Sequence, residues 1–169
     1  MRTDPQQAPP LPDASGLRFA VIVSRFNEEV TRSLRRGAER ALTAAGASAS
    51  SVEYFDVPGA FELPLAARLA ASSSRFDAVV CLGCVVRGET PHFEYISSAV
   101  AHALADVSVR TGLPVAFGVL TTDTIEQARA RAAEGPSNKG WEAASAAIEM
   151  ARLVRRIDRR PAGGDGVRV

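Results

Sequence analysis

The stretch that decides the fold begins Ala78-Val79-Val80-Cys81-Leu82 and continues Gly83-Cys84-Val85-Val86-Arg87-Gly88-Glu89-Thr90-Pro91-His92-Phe93-Glu94-Tyr95. Its opening run is apolar, as a strand covered on both faces requires. The glycine-flanked segment after it reads as a loop. Thr90 as N-cap and Pro91 as first helical residue then open a long, alanine-rich amphipathic helix. A helix starting there points free backbone N–H groups and a partial positive charge at the loop, which suits a phosphate. Arg87 adds full positive charge nearby. His92, in the first turn, is the side-chain type suited to proton transfer near neutral pH. A solvated arginine and a capping histidine fit the same local pattern, because strand–loop–helix junctions are common and often empty.

The alternation extends in both directions. Leu17 to Val23 reads as strand one, Ser24 to Asn27 as a turn, and Glu28 to Ala45 as helix one, closed by Gly46. Val52 to Val57 is strand two, Pro58-Gly59 a turn, and Glu62 to Ala71 helix two. Strand three and its loop lead to helix three, Pro91 to about Thr111, which Gly112-Leu113-Pro114 stops. Ile96, Val100, Ala103, Leu104 and Val107 form its apolar stripe. Ala99, Ala101 and Ala105 widen that stripe with small residues, for close approach of a second helix or for packing on the sheet. Val115 to Leu120 is strand four. Asp123 and Glu126 are spaced as a capping pair for helix four, which ends near Ala133. After the Glu134–Asn138 loop, Lys139 to Ile157 is helix five, with an arginine-rich end suited to a helix C-terminus.

Strands alternating with helices imply right-handed crossovers and a parallel sheet covered on both faces. The predicted fold is α/β: a flavodoxin-like three-layer sandwich with a four-stranded parallel sheet in the order 2-1-3-4. Ligands in such folds bind beyond the carboxyl ends of the strands. Here those ends carry Phe26-Asn27, Gly59-Ala60-Phe61-Glu62, and Val85 to His92.

The chain has 169 residues, 46% of them hydrophobic and 23% charged, with a formal net charge of +1. That is enough apolar material for one domain with a real core, expected over residues 17–158. Residues 1–16 read as a proline-rich tail, disordered or laid extended on something else, and residues 159–169 as a flexible tail. The near-neutral charge argues against a nucleic-acid or membrane-surface protein. No run is long and apolar enough to span a bilayer, and the N-terminal stretch lacks the apolar core of a signal peptide, so a cytoplasmic protein is expected. Cys81-Leu82-Gly83-Cys84 matches C-x-x-C, but no second pair or histidine follows at metal spacing. Two small buried thiols is the better account, and no metal is expected. The arginines from Arg152 to Arg160 read as a solvated helix end. His102 and Trp141 are assigned no role.

Several separate motifs in order carry a family resemblance: Arg25-Phe26-Asn27, Val57-Pro58-Gly59-Ala60-Phe61-Glu62-Leu63-Pro64, the opening stretch, Phe117-Gly118-Val119-Leu120-Thr121-Thr122, and Asn138-Lys139-Gly140. Together they resemble the lumazine synthases, collinearly from about Leu17 to Ile157. The resemblance implies an enzyme of the penultimate step of riboflavin biosynthesis. It would condense 5-amino-6-(D-ribitylamino)uracil with 3,4-dihydroxy-2-butanone 4-phosphate to 6,7-dimethyl-8-ribityllumazine, phosphate and water, with no cofactor. His92 matches the proton-transfer residue. Phe26 matches the aromatic side chain stacked on the pyrimidine, with Asn27 beside it. Gly59, Ala60, Phe61 and Glu62 match the stretch along the ribityl chain. Cys84, Val85 and Val86 match the wall and backbone contacts around the ring, and Glu89 and Thr90 the phosphate cradle. For Glu89 the contact is its backbone N–H, with the carboxylate turned to water. Phe117, Arg131 and Lys139 match further ring-side and phosphate-pairing groups. The resemblance also implies a homo-oligomer built from pentamers, sometimes an icosahedral shell, with active sites between adjacent subunits and riboflavin synthase as a further partner. A shell-forming or flavin-binding relative without turnover is the alternative.

One expectation needs no family. Arg131 lies at the end of helix four, and a crossover helix runs antiparallel to its strands. That end therefore sits roughly 12 Å from the loops at the strands' carboxyl side. Phe117 lies in mid-strand. Neither is expected to reach the same chain's His92, so any site they serve is a neighbour's.

Overall fold

The structure, a computed structural model, describes residues 10–158. The proline-rich run up to Pro9 and the tail from Arg159 onward lie outside the described residues. Four strands, β1 (Phe19–Ser24), β2 (Val52–Val57), β3 (Ala78–Val86) and β4 (Val115–Thr122), form one sheet in the order β2-β1-β3-β4. Every pairing is parallel, with Phe19 level with both Val52 and Ala78, and Val79 level with Val115. The helices are α1 (Glu28–Ala44), α2 (Leu63–Ser72), α3 (His92–Thr111), α4 (Ile125–Arg131) and α5 (Lys139–Asp158). The predicted α/β three-layer fold and strand order are the observed ones.

The period-two geometry of strands explains the layers. Phe19, Val21 and Val23 of β1, with Ala78, Val80, Leu82 and Cys84 of β3, enter one core with α1, α4 and α5. The alternate residues Ala20, Ile22, Val79 and Cys81 enter a second core with α2 and α3. The two central strands are thus apolar in continuous runs because both faces are covered. The edge strands are less buried: Phe55 of β2 is 37% exposed and Phe117 of β4 is 45% exposed.

Close packing of α1 on α5 depends on Gly140. A Cβ there would lie 1.9 Å from the Leu34 carbonyl oxygen, so no other residue fits without moving a helix. Leu11 and Ala14 also pack on the first core, and Arg152 holds the Asp13 carboxylate at 2.9 Å. Residues 10–16 therefore lie against the domain. Among the described residues, no helix is long and apolar enough to cross a membrane.

Three local expectations are corrected. Gly83 to Val86 is strand, because each residue pairs in register with Val119 to Thr122 of β4. Thr90 makes no cap: Pro91 holds the cap position of α3, and its carbonyl accepts from Glu94 N at 3.0 Å. Asp123 and Glu126 do not cap α4. Thr124 does, accepting from Gln127 N, while Gln127 Oε1 accepts from Asp123 N at 3.1 Å. The Asp123 carboxylate is engaged elsewhere, by Arg87 Nε at 2.7 Å.

Candidate active site

The carboxyl ends of β1, β2 and β3 are tied together by backbone and side-chain hydrogen bonds. Arg25 N donates to Val57 O at 2.9 Å and Phe26 N to Pro58 O at 3.2 Å, which draws the loop after β1 toward the loop after β2. Asn27 adopts a left-handed conformation, φ 57° and ψ 49°, which asparagine tolerates better than most residues. From there its Nδ2 donates to Cys84 O at 2.9 Å and fixes the β1 loop to β3. Glu62 Oε2 accepts from Gly59 N at 2.9 Å, closing the turn in which Ala60 is buried.

These ties shape a cleft of about 300 Å³. Phe26, Gly59 to Glu62, Cys84 to Val86, Gly88, Thr90 and His92 line it, together with Phe93 and Ile96. Phe26 is 71% exposed and Phe61 60% exposed, so two aromatic faces stand open at its mouth. His92 is the first residue of α3, and its side chain is exposed to the cleft. Burial pushes the Cys84 thiol up to about 11 and the Cys81 thiol up to about 12, so both stay protonated and unreactive at neutral pH. Among the described residues, no group of histidine, cysteine, aspartate and glutamate side chains is arranged to hold a metal ion.

A second cleft, about 380 Å³, opens at the outer edge of β4. Phe117 to Thr121, Arg131, Lys139 and Glu142 line it with small residues of β4 and α5. Arg131 ends α4; its Nη1 donates to Gln127 O at 3.0 Å and, among the described residues, its guanidinium joins no ion pair. Lys139 Nζ is paired with Glu142 Oε2 at 2.6 Å on the first turn of α5. Asn138 organises this corner. Buried at 2% exposure, it accepts from Gly140 N at 2.8 Å and Trp141 N at 3.3 Å, capping α5. Its amide nitrogen donates to Ala132, Ala133 and Ser33 carbonyls at 2.7, 3.1 and 3.2 Å. One side chain thus holds the end of α4, which carries Arg131, against the start of α5, which carries Lys139.

Residues 16–155 match the sequence family described as 6,7-dimethyl-8-ribityllumazine synthase. The chain belongs to the lumazine synthase family. A protein of Syntrophus aciditrophicus (strain SB) named 6,7-dimethyl-8-ribityllumazine synthase is 55% identical over 144 residues, covering 85% of this chain and 94% of that relative.

The residues matched to the lumazine synthase pattern divide between the two clefts. Phe26, Gly59, Ala60, Phe61, Glu62, Cys84, Val85, Val86, Thr90 and His92 line the first. Phe117, Arg131 and Lys139 line the second. Asn27 lines neither, because its amide is turned to Cys84 O. Glu89 is exposed and is not among the lining residues of the first cleft. Arg87 is not the free cation expected from the sequence: Asp123 Oδ1 lies 2.7 Å from its Nε and Glu94 Oε1 2.9 Å from its Nη1. Both carboxylates push its already high basicity further up. Sequence reasoning did not assign Phe93 and Ile96 to the cleft, although Ile96 follows His92 by one helical turn and shares its face.

Proposed function

We propose that each reaction chamber is shared by two copies of the chain, one giving the cleft of Phe26, Glu62 and His92 and its neighbour the cleft of Phe117, Arg131 and Lys139. The reaction is that of the lumazine synthases: ribitylaminouracil and dihydroxybutanone phosphate condense to dimethylribityllumazine, phosphate and water. The division of the matched residues between two clefts of one chain carries this reading. The exposed rings support it further. Phe26 and Phe117 are large apolar groups left uncovered on the single chain, and a ligand and an adjoining subunit would cover them.

In the chamber, Phe26 stacks on the pyrimidine and Val85 and Val86 wall it. Glu62 keeps one carboxylate oxygen on Gly59 N and offers the other to ribityl hydroxyls. Backbone N–H groups at Glu89 and Thr90 receive the phosphate, opposite the neighbour's arginine. The pyrimidine amine attacks the ketone, and the carbinolamine loses water to give an imine. Phosphate then leaves, and the ring closes with loss of water. Every step relocates a proton, and His92 is the group that takes and returns it. Holding two small molecules together also removes much of the entropic cost of their meeting.

The assembly is an oligomer; a pentamer, alone or in an icosahedral shell, is the form proposed, because a ring repeats one heterologous contact and completes every chamber. The setting proposed is the cytoplasm, where the two free thiols, both buried, stay reduced. Riboflavin synthase, which would consume the product, is the proposed further partner. Incubating the purified protein with both substrates and following lumazine absorbance tests the activity. Turnover well above the buffer reaction is expected. A rate equal to buffer would reject the enzyme and favour a non-catalytic relative.

A further inference from the structure

Arg87 stands at the stem of the Gly88–Pro91 loop and touches three parts of the molecule. Its backbone N–H donates to Thr122 O at 2.9 Å, and its Nε donates to Asp123 Oδ1 at 2.7 Å. Its Nη1 donates to Glu94 Oε1 at 2.9 Å, and the guanidinium carbon lies 4.5 Å from the centre of the Phe93 ring. One side chain therefore ties the connection after β4 to the first turn of α3. That turn bears His92 and Phe93, both of which line the first cleft. It has no side-chain cap of its own, and Gly88 to His92 are exposed. With two carboxylates already on the guanidinium, Arg87 has little net charge to offer a phosphate.

We propose that Arg87 is a positioning residue for the reaction: through Asp123, Glu94 and the Phe93 ring it fixes the first turn of α3 and so the direction in which His92 enters the cleft. The proposal rests on His92 being the proton-transfer group. Exposed ion pairs add little to folding, so losing this one leaves the fold standing. A displacement of about 1 Å in a positioned group, by contrast, costs up to a hundredfold in rate. The two roles are therefore separable by measurement.

The test compares wild type, Arg87→Ala, His92→Gln and the double variant, each in its native assembly. Arg87→Ala is expected to lower kcat about tenfold or more while KM for both substrates stays within about threefold. Tm and the light-scattering mass are expected to match wild type. In the His92→Gln background, Arg87→Ala is expected to cost less than about twofold more, because there is no imidazole left to misplace. Should Arg87→Ala fail to fold, Arg87→Lys serves instead. It keeps the charge but cannot bridge both carboxylates and stack on the ring, and the same kcat loss is expected. A kcat within about twofold of wild type would overturn the proposal. So would full additivity with His92→Gln, or a raised KM for the phosphate substrate at unchanged kcat, which would make the guanidinium a phosphate ligand. If His92→Gln alone turns over like wild type, the reading of His92 fails, and that result is distinct from any Arg87 result.

Discussion

In the proposed chamber, Arg131 supplies the cation that the first cleft lacks. Among the described residues its guanidinium has one hydrogen bond, to Gln127 O, and it lines the second cleft. A charge-assisted contact to phosphate is worth about 1.5–3 kcal/mol. Arg131→Ala is therefore expected to raise KM for the phosphate substrate roughly tenfold to a hundredfold, with KM for the pyrimidine nearly unchanged. Steady-state kinetics with each substrate varied in turn checks this; an unchanged KM for the phosphate substrate would remove Arg131 from the chamber. At this scale the sequence was legible where residue type carries the chemistry, as with His92 at a helix start or Phe26 after a strand. It was silent where a partner is remote in the chain. Nothing near Arg87 announces Asp123, 36 positions away, so a guanidinium with two carboxylates read as a free charge. Asn27 likewise read only by its place beside Phe26, and the hydrogen bond its amide donates to Cys84 O, 57 positions away, was not legible.

Among the elements, the junction of α4 and α5 is the most exacting. Asn138 is an acceptor for two N–H groups and a donor to three carbonyls, a division of labour that only an amide provides at this size. Asn138→Asp keeps the acceptor but sets a carboxylate oxygen against carbonyl oxygens in a buried place. It is expected to cost about 2–4 kcal/mol of stability. Thermal unfolding at fixed protein concentration, since assembly adds to apparent stability, reads this as a lowered Tm. A Tm equal to wild type would contradict the role given to Asn138. An asparagine before a helix is readable as a cap, but the carbonyls it gathers, from Ser33 in α1 and from Ala132 and Ala133 just past α4, are not readable from that cap. The strands were readable for the opposite reason, since burial on both faces forces continuous apolar runs. The error in β3 came from Gly83, which reads as a loop. In the sheet it packs between Leu63, Ser24 and Val119 side chains, where an added Cβ would lie 3.2–3.4 Å from each.

For the whole molecule, the order β2-β1-β3-β4 puts Phe26, Glu62 and His92 in the connections beyond the carboxyl ends of β1, β2 and β3, and Phe117 within the edge strand β4. Arg131 ends a helix that runs back from that edge. The sequence already implied that these two sets of residues do not meet within one chain, because helix direction and strand position follow from topology alone. Fold and proposed chamber are connected by this: if the chamber is shared as proposed, a flavodoxin-like sheet with its groups split between two clefts is a complete catalyst only when copies stand side by side. The most direct measurement mixes two impaired chains, assayed at a phosphate-substrate concentration well below the raised KM of Arg131→Ala. His92→Gln and Arg131→Ala subunits, co-assembled at equal amounts, should regain about a quarter of the wild-type chambers, since one in four contacts then pairs an intact imidazole side with an intact guanidinium side. Recovery of lumazine formation near that fraction is expected, whereas activity no higher than the average of the two separate variants would contradict a chamber shared between subunits.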